Sequence, residues 1–343
     1  MRVALDAQLA VGTATGIGEY ERGLALALRE AGIDVVPLSR PDFDPWRFDR
    51  RVVWDQVMLP LAARAARADL LHCASGTMPV LRTLPAVVTV HDVAWLRVQQ
   101  HTRPYARAYF GALAIRQYRS ARRVLVDSAF SGRELAELAN VPPARIDVVY
   151  PGVSGDVARL VRKPDREPFI LVAGTVEARK NLAVVIRALP ALPGVRLIVT
   201  GPSTPYRVRC ERLAADVGVS DRVAYHGYVA REVLLDLHAR ATVVAVPSLY
   251  EGFGYGAAWA LCAGVPLVAA NTSSLPEVVG GAAPLLPADD AGAWADALAA
   301  ILRDRASMEA RAAAARGGAI DRFSWQTAAG AAAESYRRAL IHG

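Results

Sequence analysis

A chain of 343 residues, 53% of them apolar and none in a low-complexity tract, is long enough for two cores and excludes a disordered protein. The net charge of +7 suits an anionic ligand or membrane surface, and nucleic acid is not an expected partner. No apolar run approaches the roughly 20 residues that span a bilayer, and the opening MRVALDAQLAVG lacks a signal-peptide core. Cys73, Cys210 and Cys262 are scattered without zinc spacing, so the expected location is cytoplasmic.

In chain order, strand and helix patterns alternate. Arg2 to Ala7 reads as a strand, Glu19 to Glu30 as a helix closed by Gly32, and Ile33 to Leu38 as a strand. Trp54 to Ala66 reads as a helix, and Leu70 to His72 and Ala86 to Val90 as buried strands. A helix over Arg103 to Arg119, a strand over Val124 to Val126 and a helix over Gly132 to Ala139, with Ser131 as its N-cap, complete the first half. Pro151 to Pro168 carries prolines, glycines and charges without periodicity, and is the expected linker.

The alternation then restarts. Strands are expected at Phe169 to Ala173, Val195 to Thr200, Val223 to Tyr225, Thr242 to Val246 and Leu267 to Ala270. Helices are expected at Leu182 to Leu189, Tyr206 to Val217, Glu232 to Ala239 and Gly256 to Ala263. The pattern predicts an α/β chain of two doubly wound, Rossmann-like domains facing a cleft. Their expected extents are 1–160 and 165–324, with a last helix over 325–343 that could pack back on the first.

Four loops at strand carboxyl ends carry residues suited to chemistry. In VGTATGIGEY, Gly16 and Gly18 precede a helix, where backbone N–H groups favour a phosphate; a tight turn needs glycines as well. VTVHDVAWL places His91 and Asp92 directly after a buried strand. GTVEARKN places Gly174, Arg179, Lys180 and Asn181 between a strand and a helix, and two cations there suit an anion. Lys180 is one of only two lysines, the other being Lys163, in a chain that otherwise uses arginine. SLYEGFGYGAAWAL places Glu251 before Gly252 and Gly254, with Trp259 eight positions later; an early helix start would put Glu251 and Trp259 on one face. Asp42 and Asp44 lie between Pro41 and Pro45 and read as a turn, so no metal is expected.

These loops, with VDSAFSGREL, VVYPGV, YHGYVAREVL and ANTSSLPEVVGG, resemble the retaining GT-B glycosyltransferases of family 4 (glycosyl transferases group 1) along almost the whole chain. Within that family the chain resembles mannosyltransferase- and rhamnosyltransferase-like enzymes of bacterial surface polysaccharide synthesis. The resemblance implies a nucleotide-sugar donor held by the C-terminal domain, and a glycan or lipid-linked acceptor held by the N-terminal one. It also implies transfer with retention, without metal or other cofactor. The leaving phosphate itself would deprotonate the acceptor. Arg179 and Lys180 would neutralise the diphosphate, Glu251 would hold the donor sugar's hydroxyls, and His91 would contact the reacting sugar. Gly16, Ile17 and Gly18 would meet the donor phosphates, with Gly174 in the phosphate-binding turn. Tyr228 and Val229 would meet the base, and the backbone at Gly252, Phe253, Gly254 and Tyr255 would approach the donor sugar.

One position departs from the pattern. Where the family carries a second glutamate for the donor ribose, this chain has Trp259, whose indole only donates. It reads first as packing with the ribose held otherwise, then as a reshaped donor pocket, then as loss of activity. Three other functions stay open: a binding module with a crippled donor site, a nucleotide-sugar epimerase, and a basic nucleic-acid or membrane binder without sugar chemistry, against which the ordered loops argue. Separately, Arg103 to Arg123 holds six arginines, three tyrosines and no acid. It could dock on an anionic membrane, making the protein peripheral at the inner membrane face, or be a solvated helix.

Overall fold

The computed structural model describes residues 1–11, 16–97 and 108–341. The chain divides into two compact units, one formed by Met1–Gly152 with Ser324–Gly343 and the other by Val153–Phe323. The junction falls at Gly152, inside the stretch expected as linker, and that stretch itself contains a short helix, Gly155–Ala158.

The first unit holds a parallel six-stranded sheet of β1 (Arg2–Asp6), β2 (Asp34–Leu38), β3 (Leu70–Cys73), β4 (Ala86–Val90), β5 (Arg123–Val126) and β6 (Ile146–Val148), ordered β2-β1-β3-β4-β5-β6. The central strands are buried on both faces, as a sheet covered on both sides requires. Strand order reverses between β1 and β3, which opens a crevice at their carboxyl ends. β6 escapes the sequence pattern because it is three residues long, with Asp147 at its centre.

The last helix, Trp325–Ile341, packs on the opening helix, Gly16–Glu30, and on β4 and β5. Its buried face is nearly all alanine (Ala328, Ala329, Ala332, Ala333, Ala339), so the two backbones approach closely. Trp325 fills the space left by two glycines: a Cβ at Gly23 or Gly152 would lie 2.2 or 2.3 Å from its ring. A buried polar chain completes the anchorage, from Tyr336 Oη to His72 Nδ1 (2.8 Å), His72 Nε2 to Thr89 Oγ1 (2.8 Å) and Thr89 Oγ1 to Tyr20 Oη (3.1 Å).

Two local expectations need correction. The helix Ala129–Ala139 is capped by Ser128, whose Oγ accepts from the Ser131 N–H; Ser131 is inside the helix and buried. The region expected as one helix over Trp54 to Ala66 begins at Phe48 and widens to a π-turn at Trp54–Met58 before Leu59–Ala65. Pro60 gives the reason: its ring has no N–H and would clash with the carbonyl of Gln56, which the wider turn relieves.

Glu21, on the opening helix, is fully buried, and neither carboxyl oxygen has a well-formed hydrogen bond among the described residues. Burial, with nearby Asp6, pushes its pKa up to about 9 despite Arg51. The folded value lies above the unfolded one of about 4.5, so the folded state favours the neutral acid. Stability is therefore full below that value and falls as pH rises towards 9, the reverse of an ordinary surface carboxylate. Glu21→Gln is expected to unfold like the wild type at pH 4.5 and to be more stable by roughly 1–3 kcal/mol at pH 8, read by denaturant titration.

The second unit repeats the architecture. Its parallel sheet comprises β7 (Phe169–Ala173), β8 (Arg196–Thr200), β9 (Val223–Gly227), β10 (Val243–Val246), β11 (Leu267–Ala270) and β12 (Leu285–Leu286), ordered β12-β11-β10-β7-β8-β9. The order reverses between β7 and β10, so the loops following these two strands flank the crevice. β7, β10 and β11 are apolar on both faces and almost fully buried.

Candidate functional site

The loops after β7 and β10 bring Arg179, Lys180 and Glu251 together. After β7 the chain passes Gly174 at φ +134° and makes a 3-10 turn, Ala178–Lys180. Asn181 follows in the left-handed region, at φ +52°. Its side-chain amide donates to the carbonyls of Pro247 (3.2 Å) and Ala288 (2.7 Å), clamping this turn to the loop after β10. The Leu249 N–H donates to the Arg179 carbonyl at 2.8 Å, a second clamp between the same loops.

Glu251 sits in the loop, four residues before the helix Tyr255–Ala263, and is 7% exposed. Its Oε1 accepts from Lys180 Nζ and Ser248 Oγ, both at 2.6 Å, and its Oε2 lies 3.3 Å from Arg179 Nη1. Burial raises the Glu251 carboxyl, but Lys180, Arg179 and these hydrogen bonds outweigh it and hold the group below the usual carboxylate range. Its backbone is fixed as well: the Glu251 N–H donates to Ser273 Oγ (2.9 Å), and the single Ser274 hydroxyl proton is shared between the carbonyls of Glu251 (2.9 Å) and Phe253 (2.7 Å).

The two cations are thus not an open pair. Arg179 donates to Glu177 Oε1 (2.7 Å) and to the Tyr250 carbonyl (2.8 Å) besides meeting Glu251. Lys180 and Glu251 line a narrow cavity with Gly174, Thr175, Ser248 and Gly256. Gly174 is required by its positive φ, since a Cβ there would make only ordinary contact with the Lys180 stem at 3.8 Å. A close backbone approach occurs at Gly201, which no motif marked: a Cβ there would lie 2.2 Å from the Gly174 carbonyl oxygen.

The glycine-led segment divides. Gly254 stands at φ +98° before the helix, and a Cβ on it would meet Leu275 at 2.8 Å. Gly252 and Phe253 are buried; the Phe253 ring packs edge-on against Phe323 and Tyr255, at 5.5 and 5.3 Å, so its side chain is core. Trp259 is not on a common helix face with Glu251, because the helix begins after Glu251. The indole is 7% exposed, packs 5.5 Å from the His238 ring, and lies 5.1 Å from the Arg231 guanidinium. Arg231 in turn pairs with Asp156 at 2.6 Å. Trp259 does not line the Lys180–Glu251 cavity. Trp259→Ala is expected to cost about 3–5 kcal/mol in urea unfolding, the usual loss for a buried aromatic. Tyr228, exposed, and Val229, half-buried, follow β9 on the same edge of the sheet.

In the first unit, His91 does emerge at the carboxyl end of β4, but both ring nitrogens are occupied. Nδ1 faces Asp127 Oδ2 at 2.7 Å and Nε2 faces the Ala74 carbonyl at 2.8 Å, with the Tyr20 ring edge-on at 4.8 Å. Two acceptors on one imidazole favour the doubly protonated ring. Burial opposes that charge, but the Asp127 carboxylate and the two hydrogen bonds raise the His91 pKa above its ordinary value. The ring is thus held in place by Asp127 and Ala74. Asp127, after β5 in VDSAF, is the partner that sequence reasoning missed.

The glycine loop is described from Gly16 onward, where the opening helix begins. Ile17 is half-buried. Gly18 has a packing reason to be glycine, since a Cβ would lie 2.2 Å from the Leu9 carbonyl oxygen. Of the basic aromatic stretch, residues 103–107 lie outside the described residues. The remainder forms a π-turn, Ala108–Leu113, and a helix, Ala114–Ser120, with Tyr109 and Tyr118 buried. No helix among the described residues is long and apolar enough to cross a membrane. Asp42 pairs with Arg40 at 2.6 Å and Asp44 accepts from the Trp46 N–H at 2.9 Å, as in a turn.

Comparison with known proteins places these features. The family model described as Glycosyltransferase Family 4 matches residues 14–156, and that described as Glycosyl transferases group 1 matches residues 158–318. The D-inositol 3-phosphate glycosyltransferase of Mycolicibacterium smegmatis is 34% identical over 235 residues, 64% of this chain and 54% of that protein. The protein of the same name from Mycobacterium tuberculosis (strain F11) is 37% identical over 238 residues, 64% of this chain and 49% of that protein. The chain thus spans about half the length of the curated relatives it matches. Among solved structures, sucrose-phosphate synthase from Thermosynechococcus elongatus aligns with a TM-score of 0.78 at 22% identity, over all of both chains. Anabaena HepE in complex with UDP-glucose aligns with a TM-score of 0.76 at 18% identity, over 98% of this chain and 99% of that one. These structural likenesses give the fold, GT-B.

Proposed function

Because this chain belongs to the family 4, group 1 glycosyltransferases, we propose that it moves a sugar from a nucleotide-sugar donor to a glycan or lipid-linked acceptor, with retention and without a metal. The observation that carries the reading is Glu251, a buried carboxylate kept ionised by Lys180, Arg179 and Ser248 at the strand-order reversal of the second sheet. Such a group accepts hydrogen bonds from sugar hydroxyls, and the cations on it suit the phosphates of the same donor. The HepE structures in complex with UDP and glucose or with UDP-glucose support a donor of this kind.

The residues divide the work as follows. An arriving diphosphate competes with Glu251 and Glu177 for Arg179 and Lys180. The cations follow the phosphate charge as the glycosidic bond breaks, which is where electrostatic stabilisation lowers the barrier. Glu251, released from part of its pairing, turns its oxygens to the sugar. The leaving phosphate oxygen takes the acceptor proton on the face it vacates, which returns the sugar with its configuration kept. A cytoplasmic setting, peripheral to an anionic membrane through the Arg103–Arg123 stretch, and a role in surface polysaccharide synthesis complete the proposal. The D-inositol 3-phosphate glycosyltransferase name of the mycobacterial relatives adds inositol 3-phosphate to the acceptors worth offering.

The proposal is tested by titrating the purified chain with UDP-, GDP-, ADP- and dTDP-sugars. Binding of at least one, lost in Arg179→Ala/Lys180→Ala, is expected; binding of none sinks the transferase reading. The competing binding-module reading rests on Trp259. It gains if no sugar nucleotide binds the wild type while Trp259→Glu restores binding. An epimerase would instead release an altered sugar without any acceptor.

A further inference from the structure

The first sheet has a second cavity, of about 750 Å³, at the amino-terminal ends of β4, β5 and β6. Parallel strands put this edge opposite the one that carries His91 and Asp127. Five arginines from four stretches of chain line it: Arg82 before β4, Arg122 and Arg123 where β5 begins, Arg145 before β6, and Arg338 on the last helix. Among the described residues, no acidic one lines it.

The carboxylate that two of these arginines share is already committed. Asp147 takes Arg123 Nε at 2.7 Å, Arg338 Nη2 at 3.0 Å and Ser335 Oγ at 2.6 Å. Arg82 donates to Ser120 Oγ (3.0 Å) and approaches Met78 Sδ (3.3 Å), while Arg145 donates to the Arg119 carbonyl (2.9 Å). Neither pairs with a carboxylate among the described residues. Arg82 is half-buried, and both that burial and the neighbouring Arg122 charge act against its own. Asp147, and Glu334 at 3.9 Å from Arg338, offset part of this charge; holding Arg82 and Arg145 at the same concavity without a carboxylate partner of their own is unfavourable unless an anion fills it. The volume lies within the range of small-ligand sites, and guanidinium forks match phosphate oxygens in pairs.

We propose that this cavity is an anion site separate from the donor site, taking a ligand with clustered phosphates, either free or as a lipid headgroup. Arg82 and Arg145 are its principal ligands. Because Arg338 belongs to the last helix, an occupant would also tie that helix to the start of β5 and β6.

The test uses inorganic pyrophosphate as the free probe and phosphatidylcholine vesicles containing cardiolipin as the lipid probe. Arg179→Ala/Lys180→Ala protein removes the donor-site contribution. In that background pyrophosphate or the cardiolipin vesicles are expected to bind, and adding Arg82→Gln and Arg145→Gln to weaken binding at least about tenfold. Wild-type protein supplies a readout that needs no variant to fold: phenylglyoxal labelling of Arg82 and Arg145, mapped by mass spectrometry, is expected to be blocked by the probe. Protection by pyrophosphate identifies a free ligand, and protection by cardiolipin vesicles alone identifies a headgroup. Equal labelling of Arg82 and Arg145 with and without both probes overturns the proposal, whatever the variants do.

Discussion

Lys180→Ala is expected to slow sugar transfer by about 10²–10³-fold, the usual loss when one preorganised donor to developing charge is removed. The ammonium lies 2.6 Å from Glu251 Oε1, its stem over Gly174, in a turn clamped to the loop after β10. Both kcat and kcat/KM should fall, because the charge Lys180 meets grows as the bond breaks. The pH profile should move as well. In the wild type Lys180 and Arg179 hold Glu251 below the usual carboxylate range, so it stays ionised well into the acid. Without Lys180, burial meets less opposition and the Glu251 pKa rises. The acid limb of activity, and the stability contributed by the ionised carboxylate, should then be lost at a higher pH than in the wild type. An unchanged acid limb would mean that the Lys180–Glu251 pair has no bearing on turnover.

Glu251→Gln is expected to separate the two halves of the donor. Turnover of the sugar nucleotide should fall about 10²-fold or more, since an amide is a weaker acceptor for sugar hydroxyls and reorients to suit Lys180. A free nucleoside diphosphate should bind as tightly as before or more tightly, because Arg179 and Lys180 lose their competing carboxylate. Unfolding should show a loss of about 1–2 kcal/mol, smaller than for a fully buried pair because both cations remain about a quarter exposed. Parallel weakening of diphosphate and sugar nucleotide would show that Glu251 shapes the site and does not contact the sugar.

The sheet architecture was legible because buried parallel strands leave continuous apolar runs, and β7, β10 and β11 carry them without interruption. β6 and β12 were not, being three and two residues long and part polar or half-buried. Glu251, Arg179 and Lys180 were legible as residues placed at strand ends, and the structure brings them into contact. Their mutual neutralisation was not, since it depends on two loops 70 residues apart being clamped by Asn181. Ser248, Ser273 and Ser274 went unremarked for a similar reason: a serine that fixes a carboxylate looks, in sequence, like any loop serine. His91 was placed correctly on the strand end. Its occupation by Asp127 and Ala74 depends on β3, β4 and β5 being neighbours, which spacing along the chain does not express. Trp259 shows the reverse case. Its helix position was evident, but which way the indole faces is set by Arg231 and His238 on another helix.

The most direct measurement is the coupled appearance of free nucleoside diphosphate and glycosylated acceptor when the purified chain is given its donor and a panel of phosphorylated, glycan and lipid-linked acceptors. Proton NMR of the new anomeric centre is part of the same assay. The account predicts equimolar diphosphate and product, the donor's anomeric configuration retained, and both signals abolished together in Lys180→Ala. Transfer that persists undiminished in Lys180→Ala, or diphosphate release that never yields a glycosylated product, would contradict it.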